Sequence, residues 1–150
     1  MIEARLAVGA IGPDEMPSLA WDALEAGLDG PSIRRLAALV EPSGWETDQI
    51  LPAFMAEAGI NSISHQEASI RLARQLANRI LNEGLDPLHY TRDFELLWIN
   101  ADHPLAIQGV GLLDDEKATA EYVGQTEAEF REHARSALLA LIADGQTHQS

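Results

Sequence analysis

The sequence contains no cysteine, so neither a disulfide framework nor a thiolate metal site is available to it. Valine is also scarce, with 4 residues against 43 Ala and Leu together. Branched side chains lose rotamer freedom in a helix and fit pleated surfaces better, so this shortage disfavours sheet. Basic residues are few. Ten Lys and Arg stand against 24 acids, for a net charge of −14. That excess repels the phosphate backbone of nucleic acid and anionic lipid, and excludes both as expected partners. No apolar run approaches the length of a membrane span. The Met1 end lacks a basic stretch leading into a long apolar one, so no signal peptide is expected and the cytoplasm is the expected compartment.

Catalytic signatures are missing too. No Gly-x-Ser-x-Gly elbow is present. Gly109-Val110-Gly111 lacks the further glycine, lysine and hydroxyl of a phosphate-binding loop, so a tight turn or a close helix contact is expected there. No cofactor or metal is expected. An enzyme is the less favoured class.

What the chain does have is helical patterning over a length that suits one domain. A domain of 150 residues buries roughly 70% of the surface of its extended chain, enough for a real core. The best-specified stretch is 64–83. Ser64 and Glu67 have the spacing of a capping box. Leu72, Ala73, Leu76, Ala77, Ile80 and Leu81 form an apolar stripe, opposite a polar face of Arg71, Arg74, Gln75, Asn78, Arg79 and Asn82. Gly84 stands where a left-handed C-terminal cap belongs, with Leu85 to fold back on Ile80. Asp86-Pro87 opens the next helix, which carries Tyr90, Phe94, Leu97 and Trp98 on one side. Gly27-Leu28-Asp29-Gly30-Pro31 repeats the same connector chemistry earlier in the chain.

Around this pair the pattern predicts shorter helices. One starts near Asp14, one covers Ser32–Val40, and one is capped by Thr47 or Asp48 with Leu51, Phe54, Met55 and Ala58 inward and Pro52 at the edge of its first turn. Another starts at Asp114-Asp115-Glu116 and stops near Gly124. The last begins at a Thr126/Glu129 capping box, carries Phe130, Ala134, Ala137, Leu138 and Leu141 inward, and ends at Gly145. Met1–Ile11 reads as a short helix or a strand, with a loosely docked helix favoured. The expected fold is therefore all-α, a single-domain bundle (1–145) of about seven helices around the long one at about 64–83, with a flexible tail at 146–150.

Two passages, Ala20–Leu39 (AWDALEAGLDGPSIRRLAAL) and Ala68–Trp98 (containing LARQLANRI and EGLDPLHYTRDFELLW), resemble segments of small acidic all-helical bacterial proteins of uncharacterised function. The similarity covers about a third of the chain. It implies a fold and transfers no site residue.

Three functional readings follow. The favoured one is an acidic interaction module, an immunity-type or inhibitory protein that binds a basic protein by electrostatic steering. Its candidate face is the acidic cluster Asp114, Asp115, Glu116, Glu121, Glu127 and Glu129, with Glu132 beside it. The alternative is a small-ligand or metal-binding helical protein, or an enzyme, using Arg71, Arg74, Asn78, His89 and Asp93. In that reading His89/Asp93 and Glu129/His133 are His–carboxylate pairs at helical i,i+4 spacing. The third is the subunit of a homo-oligomer. Trp45, read as a loop residue, is the aromatic expected to be exposed for binding, with Trp21 and Trp98 at core margins.

Overall fold

The computed structural model describes residues 2–7 and 9–147, with side chains as far as Gly145. The architecture is all-α, and no strand occurs among the described residues. The helices are α1 (Ile2–Ala7), α2 (Met16–Glu25), α3 (Pro31–Ala37), α4 (Gly44–Ala58), α5 (His65–Glu83), α6 (Thr91–Asn100), α7 (Gln108–Gly111), α8 (Leu113–Thr119) and α9 (Glu127–Thr147). Single 3₁₀ turns at 13–15, 87–89, 105–107 and 120–123 fill the connections. The chain divides into two compact units, residues 1–64 and 65–150.

In the first unit, α2, α3 and α4 pack together. They enclose Met16, Ala20, Ile33, Leu36, Ile50 and Phe54. Glu57 of α4 fixes the start of α3: its carboxylate accepts from the backbone N–H groups of Ser32 (3.2 Å) and Ile33 (2.9 Å). Those N–H groups have no partner within the helix itself, so a carboxylate there satisfies two donors at once.

α4 begins earlier than its sequence suggests. Ser43 is the N-cap, accepting from the Glu46 N–H, and Glu46 reaches back to the Ser43 hydroxyl. Thr47 is therefore inside the helix and buried, with its hydroxyl donating to Gly44 O. The inward set becomes Thr47, Ile50 and Phe54, while Leu51, Met55 and Ala58 are half-buried. Pro52 consequently lies well inside the helix rather than at its first turn.

In the second unit, α5 packs on α9 and α6, and α6 packs on α7 and α8. The core joins Ala73, Ala77 and Ile80 of α5 to Phe94, Val110, Leu113, Phe130 and Leu138, among others. Most of the expected α5 stripe faces this core, with Leu76 and Leu81 at its half-buried edges; Leu72 is half-buried and does not join it, and Ala68 and Ser69 are buried in the first turn and a half. Gly84 adopts φ 64°, and Leu85 N donates to Ile80 O at 2.9 Å, the Schellman closure. Gly111 sits flat against Trp98: a Cβ placed there would lie 2.4 Å from the indole Cγ. Gly145 does not stop α9. It is buried against Arg74, where a Cβ would fall 2.8 Å from Nε, so its lack of a side chain serves close approach while the helix continues to Thr147. Residues 148–150 of the expected tail, His148 among them, lie outside the described residues.

No helix among the described residues is long and apolar enough to cross a membrane.

Candidate functional site

The second unit carries a cleft of about 510 Å³ bounded by the 86–89 turn, the end of α8 with the following 3₁₀ turn, and the start of α9. Apolar side chains of Leu88, Ala120 and Phe130 line part of it, and Asp86, Glu121 and Glu127 bring carboxylates to its edge. The local sequence explains the placement. The Gly84 cap reverses the chain, and Asp86 then accepts from the Leu88 N–H at 3.1 Å, which starts the next turn. Opposite, Thr126 accepts from the Glu129 N–H at 3.1 Å and its hydroxyl meets the Glu129 carboxylate at 3.0 Å, the capping box that opens α9.

Arg131 ties the two sides together. Its guanidinium donates to both Asp86 oxygens (3.0 and 3.2 Å) and to Glu127 Oε1 (2.7 Å). The hydrogen bonds from Arg131, helped by the Leu88 N–H, hold the Asp86 carboxyl below its usual range despite partial burial. The same two carboxylates raise Arg131 further above its already high value. Lys117 donates to the carbonyl of Leu88 at 3.1 Å across the cleft.

The acidic cluster is thus divided. Asp114 is half-buried and accepts from the Thr91 hydroxyl at 2.8 Å. Glu116 Oε2 lies 2.5 Å from His133 Nε2. Glu127 is held by Arg131, and Glu129 by the capping box. Asp115, Glu121 and Glu132 are exposed and have no side-chain ion pair or hydrogen bond among the described residues. Between them, on the 3₁₀ turn after α8, Tyr122 is 89% and Val123 76% exposed. Sequence reading passed over both. The available signal was that Ala120 ends the inward spacing of α8 and Gly124 ends the turn, which leaves 122 and 123 no inner side to face.

The residues of the small-ligand reading do not all border this cleft. Arg71 pairs with Glu67 (2.6 Å), and Asn78 donates to the backbone O of Arg74 (3.1 Å). Arg74 Nε is buried with no hydrogen-bond partner. His89 borders the cleft, which Arg71, Arg74, Asn78 and Asp93 do not line. The His89/Asp93 pairing fails because His89 lies in a 3₁₀ turn ahead of α6, outside the helix that carries Asp93; His89 turns to Asp86 instead, at 3.8 Å. His133 is likewise engaged by Glu116 from another helix, rather than by Glu129 four residues before it. Among the described residues no group of three or more His, Asp or Glu is gathered as a metal site requires.

No family model, curated protein or solved structure matches the chain.

Proposed function

We propose that the chain is a protein-interaction module that captures a basic partner through the 115–132 surface, in the manner of an inhibitory or immunity-type protein. One observation carries this reading: three exposed carboxylates without an ion pair among the described residues, Asp115, Glu121 and Glu132, lie on the segment of chain that also exposes Tyr122 and Val123. An aromatic with an apolar neighbour supplies the kind of anchor on which binding energy concentrates. The carboxylates accelerate encounter with a positively charged surface. The four acids of the cluster that are already bonded within the chain hold the surface in shape and contribute to the long-range field.

The test is stopped-flow association with a fluorescent decalysine peptide, for the wild type and for the triple reversal Asp115→Lys, Glu121→Lys, Glu132→Lys. The reversal should slow association by about tenfold or more at low salt while leaving helix content unchanged. Raising ionic strength should slow the wild type, because exposed charges are screened over about 8–10 Å at 0.1–0.15 M. Equal, salt-independent rates for the two proteins would end this reading.

A further inference from the structure

The first unit presents a different surface. The buried side of α4 is Thr47, Ile50 and Phe54. Helical spacing then gathers Trp45, Asp48, Gln49 and Pro52 on another side, at intervals of three and four. All four are exposed. Trp45 keeps 73% of its surface in solvent, and Val40, at the other end of the preceding turn, keeps 87%.

The indole's base is fixed before anything binds. The Ser43–Glu46 capping pair sets the first turn of α4, and the Thr47 hydroxyl anchors the same turn from inside. Glu41, within the turn between Val40 and Trp45, holds φ 46°, a left-handed conformation that glutamate rarely adopts.

The chemistry offered is specific. Trp45 gives a π face. Asp48, three residues on, gives a carboxylate. Pro52 has no N–H, so the Asp48 carbonyl cannot receive its ordinary i→i−4 helical bond and is left as a further acceptor. No positive charge competes nearby in sequence: the basic residues of 1–64 are Arg5, Arg34 and Arg35, and the first two are paired with Glu15 and Asp29. A π face beside two acceptors matches a guanidinium, which is planar, permanently charged, rich in donors and weakly hydrated.

We propose that the outer face of α4 around Trp45 docks a basic segment of a partner protein. An arginine of that segment stacks on the indole and donates to Asp48. The proposal does not rest on the 115–132 surface.

The probe is a blocked pentapeptide, Gly-Arg-Gly-Arg-Gly, titrated into the isotopically labelled full chain and followed by amide and indole N–H resonances. The control peptide carries citrulline for arginine, which keeps the shape and removes the charge. The arginine peptide should shift the Trp45 indole resonance and amides across 40–52, and the citrulline peptide should not. Trp45→Ala should weaken binding by about tenfold, and Asp48→Asn by about threefold. Helix content and melting temperature should stay unchanged, because both side chains lie outside the core. Shifts confined to 113–132 would overturn the proposal and leave the other surface standing. Equal binding of the two peptides, or of wild type and Trp45→Ala, would also overturn it. So would a Trp45-dependent increase of sedimenting mass with concentration, which would make a second copy the occupant.

Discussion

Two glycines show how differently one residue type is used. Gly84 is needed for its backbone: at φ 64° it closes α5, and a side chain there is strained although nothing lies within 4 Å of where the Cβ would stand. Gly111 is needed for its absence of volume: its backbone is ordinary, but the Trp98 indole occupies the space a Cβ would take. The atoms it would strike are Cγ, Cβ and Cδ2 of Trp98; Cβ and Cγ stand next to that residue's own backbone, so they cannot swing clear as a flexible side-chain end would. Gly111→Ala should therefore destabilise the chain by about 1–3 kcal/mol, the usual cost of overpacking. A urea titration that left the midpoint unchanged would show that the indole can move aside. The first glycine could be read from sequence because a helix stop is local. The second was legible only as a suspicion of close contact near 109–111, since the partner lies on another helix. Trp98 itself is half-buried with its indole N–H buried and unpartnered, and its neighbour His103 packs edge-on at 4.5 Å.

At the scale of elements, one connector is used repeatedly. The six-residue closure in which an N–H bonds the carbonyl five residues back follows Gly27 (Leu28 to Ala23), Gly59 (Ile60 to Met55), Gly84 (Leu85 to Ile80) and Gly124 (Gln125 to Ala120). Asp102 does the same work without being glycine: it holds φ 61°, and His103 N donates to Trp98 O at 2.9 Å. Aspartate tolerates this region better than most side chains. α4 shows the opposite case. Thr47 and Asp48 are good N-cap residues and were the expected caps, but Ser43 takes that place by accepting from the Glu46 N–H, which leaves Thr47 inside the helix and buried. Starting at Gly44 puts Pro52 in the helix interior, where it forfeits one backbone bond. Pro52→Ala should restore that bond at an exposed position and raise stability, by up to about 3 kcal/mol less whatever bend the helix has already accommodated. A fall in melting temperature would mean that the proline shapes the packing of α4 instead.

At the scale of the molecule, charge is spread rather than concentrated. Residues 1–64 carry 10 acids and 3 arginines, and residues 65–150 carry 14 acids and 7 basic residues, so each unit has a net charge of −7. Within that field two aspartates stand apart. Asp29 is held below its ordinary range chiefly by hydrogen bonding from Arg34, and Asp86 chiefly by Arg131. A carboxyl with a lower folded than unfolded pKa favours folding while it is ionised. That contribution is present above about pH 4, the unfolded value, and disappears as pH falls through the lower folded one. Urea midpoints measured from pH 7 to pH 2 should therefore decline below about pH 4, and Asp86→Asn should flatten the decline. The Asp86 share should exceed that of Asp29, whose ion pair is exposed and screened by solvent. An acid limb identical in wild type and Asp86→Asn would show that other carboxylates govern it.

By itself the sequence determined what depends on near neighbours along the chain. Helix class follows from composition and from the 3.6-residue spacing, which α5 and the inner stripe of α9 display without interruption. The stops at Gly27, Gly59, Gly84 and Gly124 follow from backbone freedom, and the capping box at Thr126–Glu129 follows from the reach of a side chain over three residues. Only tertiary structure decided which charges are occupied. Whether Asp114 meets Thr91, Glu116 meets His133 or Asp86 meets Arg131 depends on residues 17 to 45 positions apart being brought within 3 Å or so. Spacing along one helix suggested Asp93 for His89 and Glu129 for His133, and both histidines found carboxylates elsewhere. The same holds for exposure. Tyr122 and Val123 look like core material as residue types, and they are surface because the chain turns there with its inner side already filled by Ala120. Local rules fixed most helix ends, though not the start of α4 or the end of α9; which side chains remain free to bind something else is settled by what folds against them.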